Sequence, residues 1–181
     1  MRATCLFFTS TLLVACATTG KESSLIVSDP DWRYKKAFGT ESFYYQCENE
    51  ISIEVPKILI THETHWAGPI FPMLPVYSSK NYINSKLAVR LQIVGNIGGI
   101  RPQLEAVEFS LLTENGSFKG TSEFHAKDTW ASINTVFPVE IGSLNNFSII
   151  FIHLIPACKV SKIHYVKQEG SNNEFTLSPG P

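Results

Sequence analysis

The sequence predicts an all-β protein folded as an antiparallel β-sandwich of about seven to nine strands. Aromatic residues make up 12% of the chain and charged residues only 17%, a balance that favours strands over surface helices. Apolar and polar residues alternate with a period of two in several stretches, which is typical of strands with one buried face. Turn residues separate these stretches, and no long amphipathic helical pattern interrupts them. Together these observations favour two packed antiparallel sheets.

The first strand candidates lie in the N-terminal half. Residues 25–27 form a short candidate strand, whereas residues 32–39 fit either one helical turn or an irregular loop. Regular alternation begins at Ser42 and is interrupted at Pro56. Because proline donates no ladder hydrogen bond, Pro56 predicts an edge position or a bend. The strands predicted in this region are 43–47, 51–55 and 57–61.

The second half carries the clearest alternation. Residues 87–94 are predicted to form a half-buried strand, followed by a turn at 95–102. Asn115-Gly116 favours the positive φ angles of a type I′ turn, so residues 107–112 and 118–126 are predicted to pair as a hairpin.

Three further strands are predicted before the C-terminal tail: 136–141, 147–155 and 160–167. Pro138 predicts that the first of them lies at a sheet edge. Residues 147–155 are apolar on both faces apart from Ser148 and His153. This pattern predicts a central strand that is covered on both sides or lies deep between the layers.

The N-terminal segment has the features of a cleaved secretion signal. Arg2 supplies one positive charge, and residues 5–15 are uncharged and mostly apolar. This stretch is too short to span a bilayer, and polar residues follow it directly.

The end of this segment, Leu13-Val14-Ala15-Cys16, resembles the lipobox of bacterial lipoproteins. The resemblance is confined to the signal, and it implies that residues 1–15 are removed and that Cys16 is lipidated. Two or three acyl chains anchor a protein firmly, whereas one holds it reversibly. The resemblance also implies the outer membrane, because Ala17 and not aspartate follows the cysteine. Residues 15–17 equally satisfy the A-x-A pattern of ordinary signal cleavage, which would release a soluble protein.

The predicted organisation is a single domain behind the signal. Residues 1–15 are the signal, 16–24 a flexible tether, 25–167 the β-sandwich and 168–181 a disordered tail. Loss of Arg2 reduces the 15 basic residues to 14, against 16 acidic residues. This nearly balanced charge, without basic runs, argues against nucleic acid as a partner.

Two cysteines remain in the exported chain, Cys47 and Cys158. An even pair in an oxidising compartment predicts a disulfide, although two buried free thiols are the alternative. The expected sandwich is loosely immunoglobulin-like or transthyretin-like only. The cysteines are too far apart for the usual immunoglobulin pair, and Trp66 does not have the expected spacing from Cys47.

His62-Glu63-Thr64-His65 is the one motif that suggests a metal. Its histidines are three residues apart, whereas the zinc-protease motif requires four on one helix face. A loop after the predicted strand would let His62 and His65, with Glu63 and His125, hold zinc or copper. The alternative is that they are ordinary polar loop histidines, and we expect neither a metal nor any other cofactor.

The segment 65–77 is unusually apolar for a loop and contains three prolines. A stiff aromatic loop loses little entropy on docking, so it is a candidate partner-binding surface. Alternatively, it folds over the end of the sandwich and seals the core. The candidate partner-binding residues are Trp66, Phe71, Met73, Leu74 and Tyr77.

The sequence contains no nucleophile elbow, phosphate-binding loop or dinucleotide-binding glycine motif. We therefore expect a non-enzymatic protein, anchored in the outer membrane through Cys16. Its periplasmic β-sandwich is expected to act as a protein-binding or envelope-assembly module. The alternative is a periplasmic protein that binds a metal or a small ligand through the His62 and His65 region.

Overall fold

The computed structural model describes residues 17–37, 39–67, 76–155 and 157–170 of the chain, with the side chains at 17–19, 65–67 and 76–77 left out. The described residues form thirteen strands, one short α-helix, α1 (Arg101–Glu105), and one 3₁₀ turn (Ile141–Ser143). The strands are β1 (Ala17–Val27), β2 (Arg33–Ala37), β3 (Thr40–Gln46), β4 (Ser52–Pro56), β5 (Ile58–Ala67), β6 (Val76–Asn81), β7 (Lys86–Val94), β8 (Phe109–Thr113), β9 (Gly116–Lys119), β10 (Thr121–Lys127), β11 (Trp130–Glu140), β12 (Asn146–Phe151) and β13 (Lys162–Glu169).

The strands form two antiparallel sheets. The seven-stranded sheet has the order β6-β5-β1-β13-β12-β8-β9, and the six-stranded sheet has the order β10-β11-β7-β4-β3-β2. The prediction of an all-β antiparallel sandwich is therefore confirmed. The count exceeds the predicted seven to nine. It is three more than the ten candidate stretches in the sequence, because β2 and β6 lie where no strand was predicted and the predicted strand 118–126 is divided.

The core lies between the inner faces of the two sheets. In β7 the apolar side chains of Leu87, Val89, Leu91 and Ile93 are buried, while the alternate residues point outward, as the sequence predicts. Burial of each such side chain contributes about 1.5–3 kcal/mol. In the other sheet the rings of Phe147 and Tyr165 stack with centroids 5.0 Å apart. Complete burial raises the pKa of the Tyr165 hydroxyl.

The predicted hairpin is present, but its return strand is broken at Gly120. β9 pairs with β8 in the seven-stranded sheet, whereas β10 pairs with β11 in the six-stranded sheet. A Cβ atom at Gly120 would collide with the methyl group of Thr135 and lie 2.8 Å from the ring of Phe137, so any larger residue would force these side chains to move. The predicted type I′ turn is wrong: of Glu114, Asn115 and Gly116, only Gly116 has a positive φ.

Pro138 does not lie on an edge strand. β11 starts at Trp130, earlier than predicted, and lies between β10 and β7. Pro138 falls in the irregular register between Val136 and Glu140, where its missing N–H breaks no regular ladder.

The run 147–155 does not form one strand covered on both sides. β12 ends at Phe151, and its side chains are buried on one face only. Beyond it, Ile152 and Leu154 are 50% and 56% exposed. The prediction of a central position is confirmed, because β12 lies between β13 and β8.

Residues 17–24 of the predicted tether 16–24 belong to a strand. β1 pairs with β5 from Ala17 onward and with β13 from Ser23 onward, so two neighbours supply backbone partners that this polar sequence does not reveal. Similarly, residues 33–37 form edge strand β2 rather than a helical turn or loop. In the predicted tail, 168–169 belong to β13, and 171–181 lie outside the described residues.

Cys47 and Cys158 form a disulfide with their Cα atoms 4.7 Å apart. Cys47 follows β3 of the six-stranded sheet, and Cys158 lies in the connection between β12 and β13 of the seven-stranded sheet. The Glu48 N–H donates a hydrogen bond to the Ala157 carbonyl oxygen at 2.9 Å. The predicted bridge therefore joins the two sheets.

Candidate ligand-binding cleft

A cleft of about 620 Å³ lies where the chain passes from the six-stranded to the seven-stranded sheet. The passage runs from β4 through Lys57 into β5. β1, β5 and β6 line the cleft from the seven-stranded sheet, and β3, β4 and β7 line it from the six-stranded sheet. The two layers therefore contribute side chains to one concave surface.

Lys57 is the central charged group of this junction, and only 16% of its side chain is exposed. Its Nζ contacts a Glu22 carboxylate oxygen from β1 and, at 2.6 Å, Glu41 Oε2 from β3. Burial alone would lower the pKa of Lys57, but the hydrogen bonds to Glu22 and Glu41 raise it above its ordinary value. Lys57 therefore stays charged and links the two sheets.

Glu41 has two lysine partners. Besides Lys57, Lys36 Nζ lies 2.9 Å from Glu41 Oε1. The hydrogen bonds from Lys57 and Lys36 lower the pKa of Glu41 to about 2. This carboxylate is therefore ionised throughout the ordinary pH range.

A third carboxylate of the cleft, Glu54 on β4, is also occupied. It accepts a hydrogen bond of 2.5 Å from the Ser42 hydroxyl. Lys35 Nζ lies 3.4 Å from its other oxygen. All three carboxylates that line the cleft thus have partners within the protein.

His62 lies in this cleft, opposite Glu22 in the register of β5 and β1. Its Nδ1 is 3.4 Å from Glu22 Oε2, and its Nε2 is 2.8 Å from the Thr64 hydroxyl. The strand β5 continues to Ala67, so the predicted loop at His62 is absent. Pairing with both β1 and β6 explains this continuation.

The other metal candidates do not join His62 in the described structure. His125 lies on β10 of the six-stranded sheet, and the side chain of His65 lies outside the described residues. Among the described side chains, no group of three histidine, cysteine, aspartate or glutamate residues has an arrangement that would hold a metal ion.

The candidate partner-binding residues are largely outside the structure. Phe71, Met73 and Leu74 lie outside the described residues, and so do the side chains of Trp66 and Tyr77. The backbones of Trp66 and Tyr77 belong to β5 and β6. The end of β5 pairs with the start of β1, Ala67 opposite Ala17.

The sequence-based reasoning missed Glu22, Glu41 and Lys57. Glu22 was assigned to the tether, and Lys57 and Glu41 are 16 positions apart in the chain. One local feature could have drawn attention to Lys57. It directly follows Pro56, between two stretches of alternating polarity, where a bend was predicted.

No protein-family model, curated protein or solved structure matches this chain. Within the part of the chain that the structure covers, no helix has the length and apolar character needed to span a membrane.

Proposed function

We propose that this protein is a bacterial lipoprotein, anchored in the outer membrane through Cys16, whose periplasmic β-sandwich is a non-enzymatic ligand-binding module. The observation that supports binding is the charged cleft at the junction of the sheets. Ion pairs hold its lining groups: Lys57 contacts Glu22 of one sheet and Glu41 of the other, and Lys35 contacts Glu54. A site organised in this way loses little conformational entropy when a ligand binds.

The charge states of Glu41 and Lys57 make these two groups of the cleft poor acid–base catalysts. A general base or acid works best when its pKa lies near the working pH. The pKa of Glu41 is about 2, and that of Lys57 is raised above its ordinary value. Neither group therefore exchanges a proton readily near neutral pH.

The position of β1 is relevant to the proposed anchor. β1 begins at Ala17, directly after Cys16, and a strand rises by about 3.3 Å per residue. Glu22 therefore lies within about 20 Å of a lipid attached to Cys16. A ligand in the cleft of the anchored protein would be held close to the membrane surface.

Cys16→Ala is expected to abolish fatty-acid labelling and to release the protein from membranes, because the thioether can no longer form. Labelling with radioactive palmitate and fractionation of cells measure both effects. Cys5→Ala is the matched control, since Cys5 lies inside the segment that is removed, and it should behave as the wild type. Unchanged membrane retention of Cys16→Ala would disprove the anchor.

A second candidate function is protein binding or envelope assembly through the segment 65–77. The pairing of Ala67 with Ala17 supports it, because it brings one end of this segment next to the residue that follows Cys16. Its apolar residues would then be available to the bilayer surface or to a membrane-bound partner.

Filling the cleft distinguishes the two candidates. Gln92 lies on β7 and lines the cleft. The larger side chain of Gln92→Trp is therefore expected to exclude a ligand. Thr121→Trp, on the exposed edge strand β10, is the control. Native mass spectrometry of full-length protein in mild detergent should detect a small-molecule adduct on the wild type and the control only. No adduct, together with a crosslinked protein that persists in Gln92→Trp, would favour the second candidate and contradict the first.

A further inference from the structure

We infer that the cleft binds a small organic oxyanion, a carboxylate or a phosphate ester, with Lys80 and Arg90 as the cationic groups that attract it. The inference rests on the proposed binding role of the cleft and names the class of its ligand. It is based on the pairing of the charged side chains in the cleft: the acidic ones have partners within the protein, whereas two basic ones form no ion pair among the described residues.

The acidic groups of the cleft are neutralised within the protein. Glu22 and Glu41 share Lys57, and Glu54 has Ser42 and Lys35 as partners. A cationic ligand would have to displace a lysine from one of these carboxylates, at the cost of an existing ion pair. The cleft is therefore a poor site for a cation in spite of its three glutamates.

Two basic groups that line the cleft, Lys80 and Arg90, differ from Lys57 in their ion pairing. Neither forms an ion pair with a carboxylate among the described residues. When the lysines that contact the lining carboxylates are included, five basic side chains face three acidic ones. The unpaired charge of the cleft is thus positive, which favours an anion.

The Arg90 side chain is held by one hydrogen bond to the neighbouring strand β11. Its Nε donates a hydrogen bond of 3.0 Å to the hydroxyl of Ser132, a buried residue. A guanidinium has five N–H donors in a planar fork, so its two terminal nitrogens remain to bind both oxygens of a carboxylate or phosphate.

The two cations come from different sheets, Lys80 from β6 and Arg90 from β7. An oxyanion in the cleft would be attracted from both layers. Pro56, Leu59 and Tyr82 add apolar surface to the same cleft. A volume of about 620 Å³ is within the range of small-molecule sites, so the ligand is expected to carry an apolar part beside its anionic group.

Calorimetric titration of the full-length, detergent-extracted protein with succinate and with inorganic phosphate tests this inference. At least one probe is expected to bind, and more weakly as the salt concentration rises. Lys80→Gln/Arg90→Gln should weaken binding at least about tenfold, because two charged contacts are lost. Lys162→Gln/Lys167→Gln removes two exposed charges from β13 and should change the affinity less than about twofold.

Failure of both probes to bind the wild type would overturn the inference, and so would equal affinity of the Lys80/Arg90 variant and the wild type. Melting curves check that the variants are folded. The single variants Lys80→Gln and Arg90→Gln should each lose part of the affinity that the double variant loses. If native mass spectrometry still detects a cleft-dependent adduct, the oxyanion inference fails and the binding role stands. If no such adduct is detected, the binding role fails too.

Discussion

Replacing Cys47 and Cys158 together by serine is expected to lower the free energy of unfolding by about 4 kcal/mol. The bridge joins residues separated by 111 positions, so in the unfolded chain it closes a long loop and removes much conformational freedom. In the folded protein it links the end of β3 to the β12–β13 connection, and these elements belong to different sheets. For a domain of this size, the loss corresponds to a decrease in Tm of about 8–16 °C.

Thermal melting with and without a reducing agent measures this effect. Reduced wild type should melt at nearly the same temperature as the double variant, and the reducing agent should not change the melting of the variant. If the oxidised wild type and the variant had equal Tm values, the bridge would contribute nothing to stability.

Lys57→Met is expected to lower the free energy of unfolding by about 2–3 kcal/mol, somewhat less than for a fully buried ion pair. Methionine fills a similar volume, so the loss is mainly electrostatic: Glu22 and Glu41 are left half-buried without their shared cation. Chemical denaturation at pH 7 measures the loss. Lys36→Met is the matched control, because Lys36 contacts the same Glu41 but is 66% exposed, and its melting curve should hardly change.

The effect of Lys57→Met should depend on pH. The folded-state pKa of Glu41 is about 2, below its ordinary value of 4.5. A depressed pKa means that the stabilisation is complete above about pH 4.5 and disappears as the pH falls towards 2. The difference in stability between wild type and Lys57→Met should therefore shrink over this range. A difference that stays constant from pH 7 to pH 2 would show that the ion pair is not its cause.

The strand pattern was predictable where burial acts on local sequence. The alternation in 87–94 is visible because one face of β7 packs into the core and the other does not. β1 could not be predicted in the same way. Its residues 17–22 are polar or small, and they belong to a strand because β5 provides backbone partners. Backbone pairing of this kind leaves no hydrophobic period in the sequence.

The candidate cleft was predictable only in part. His62 attracted attention as a histidine beside Glu63 and near His65, yet in the fold it faces Glu22, forty positions away in the chain and opposite in register. Glu41 and Lys57 meet because the chain changes sheets between β4 and β5. Ion pairs between distant residues depend on strand order, and strand order is set by long-range packing of the whole core.

The all-β class, the disulfide and the hairpin of β8 and β9 could be predicted from the amino-acid sequence, because each depends on a local pattern or on the few cysteines present. The sheet to which each strand belongs, the crossings between sheets at Gly120 and at Lys57, and the unpaired charges of the cleft became visible in the folded structure alone. Local sequence specifies which face of a strand is buried. The neighbours of that strand follow from the free energy of packing two complete sheets together, to which residues from every part of the chain contribute at once.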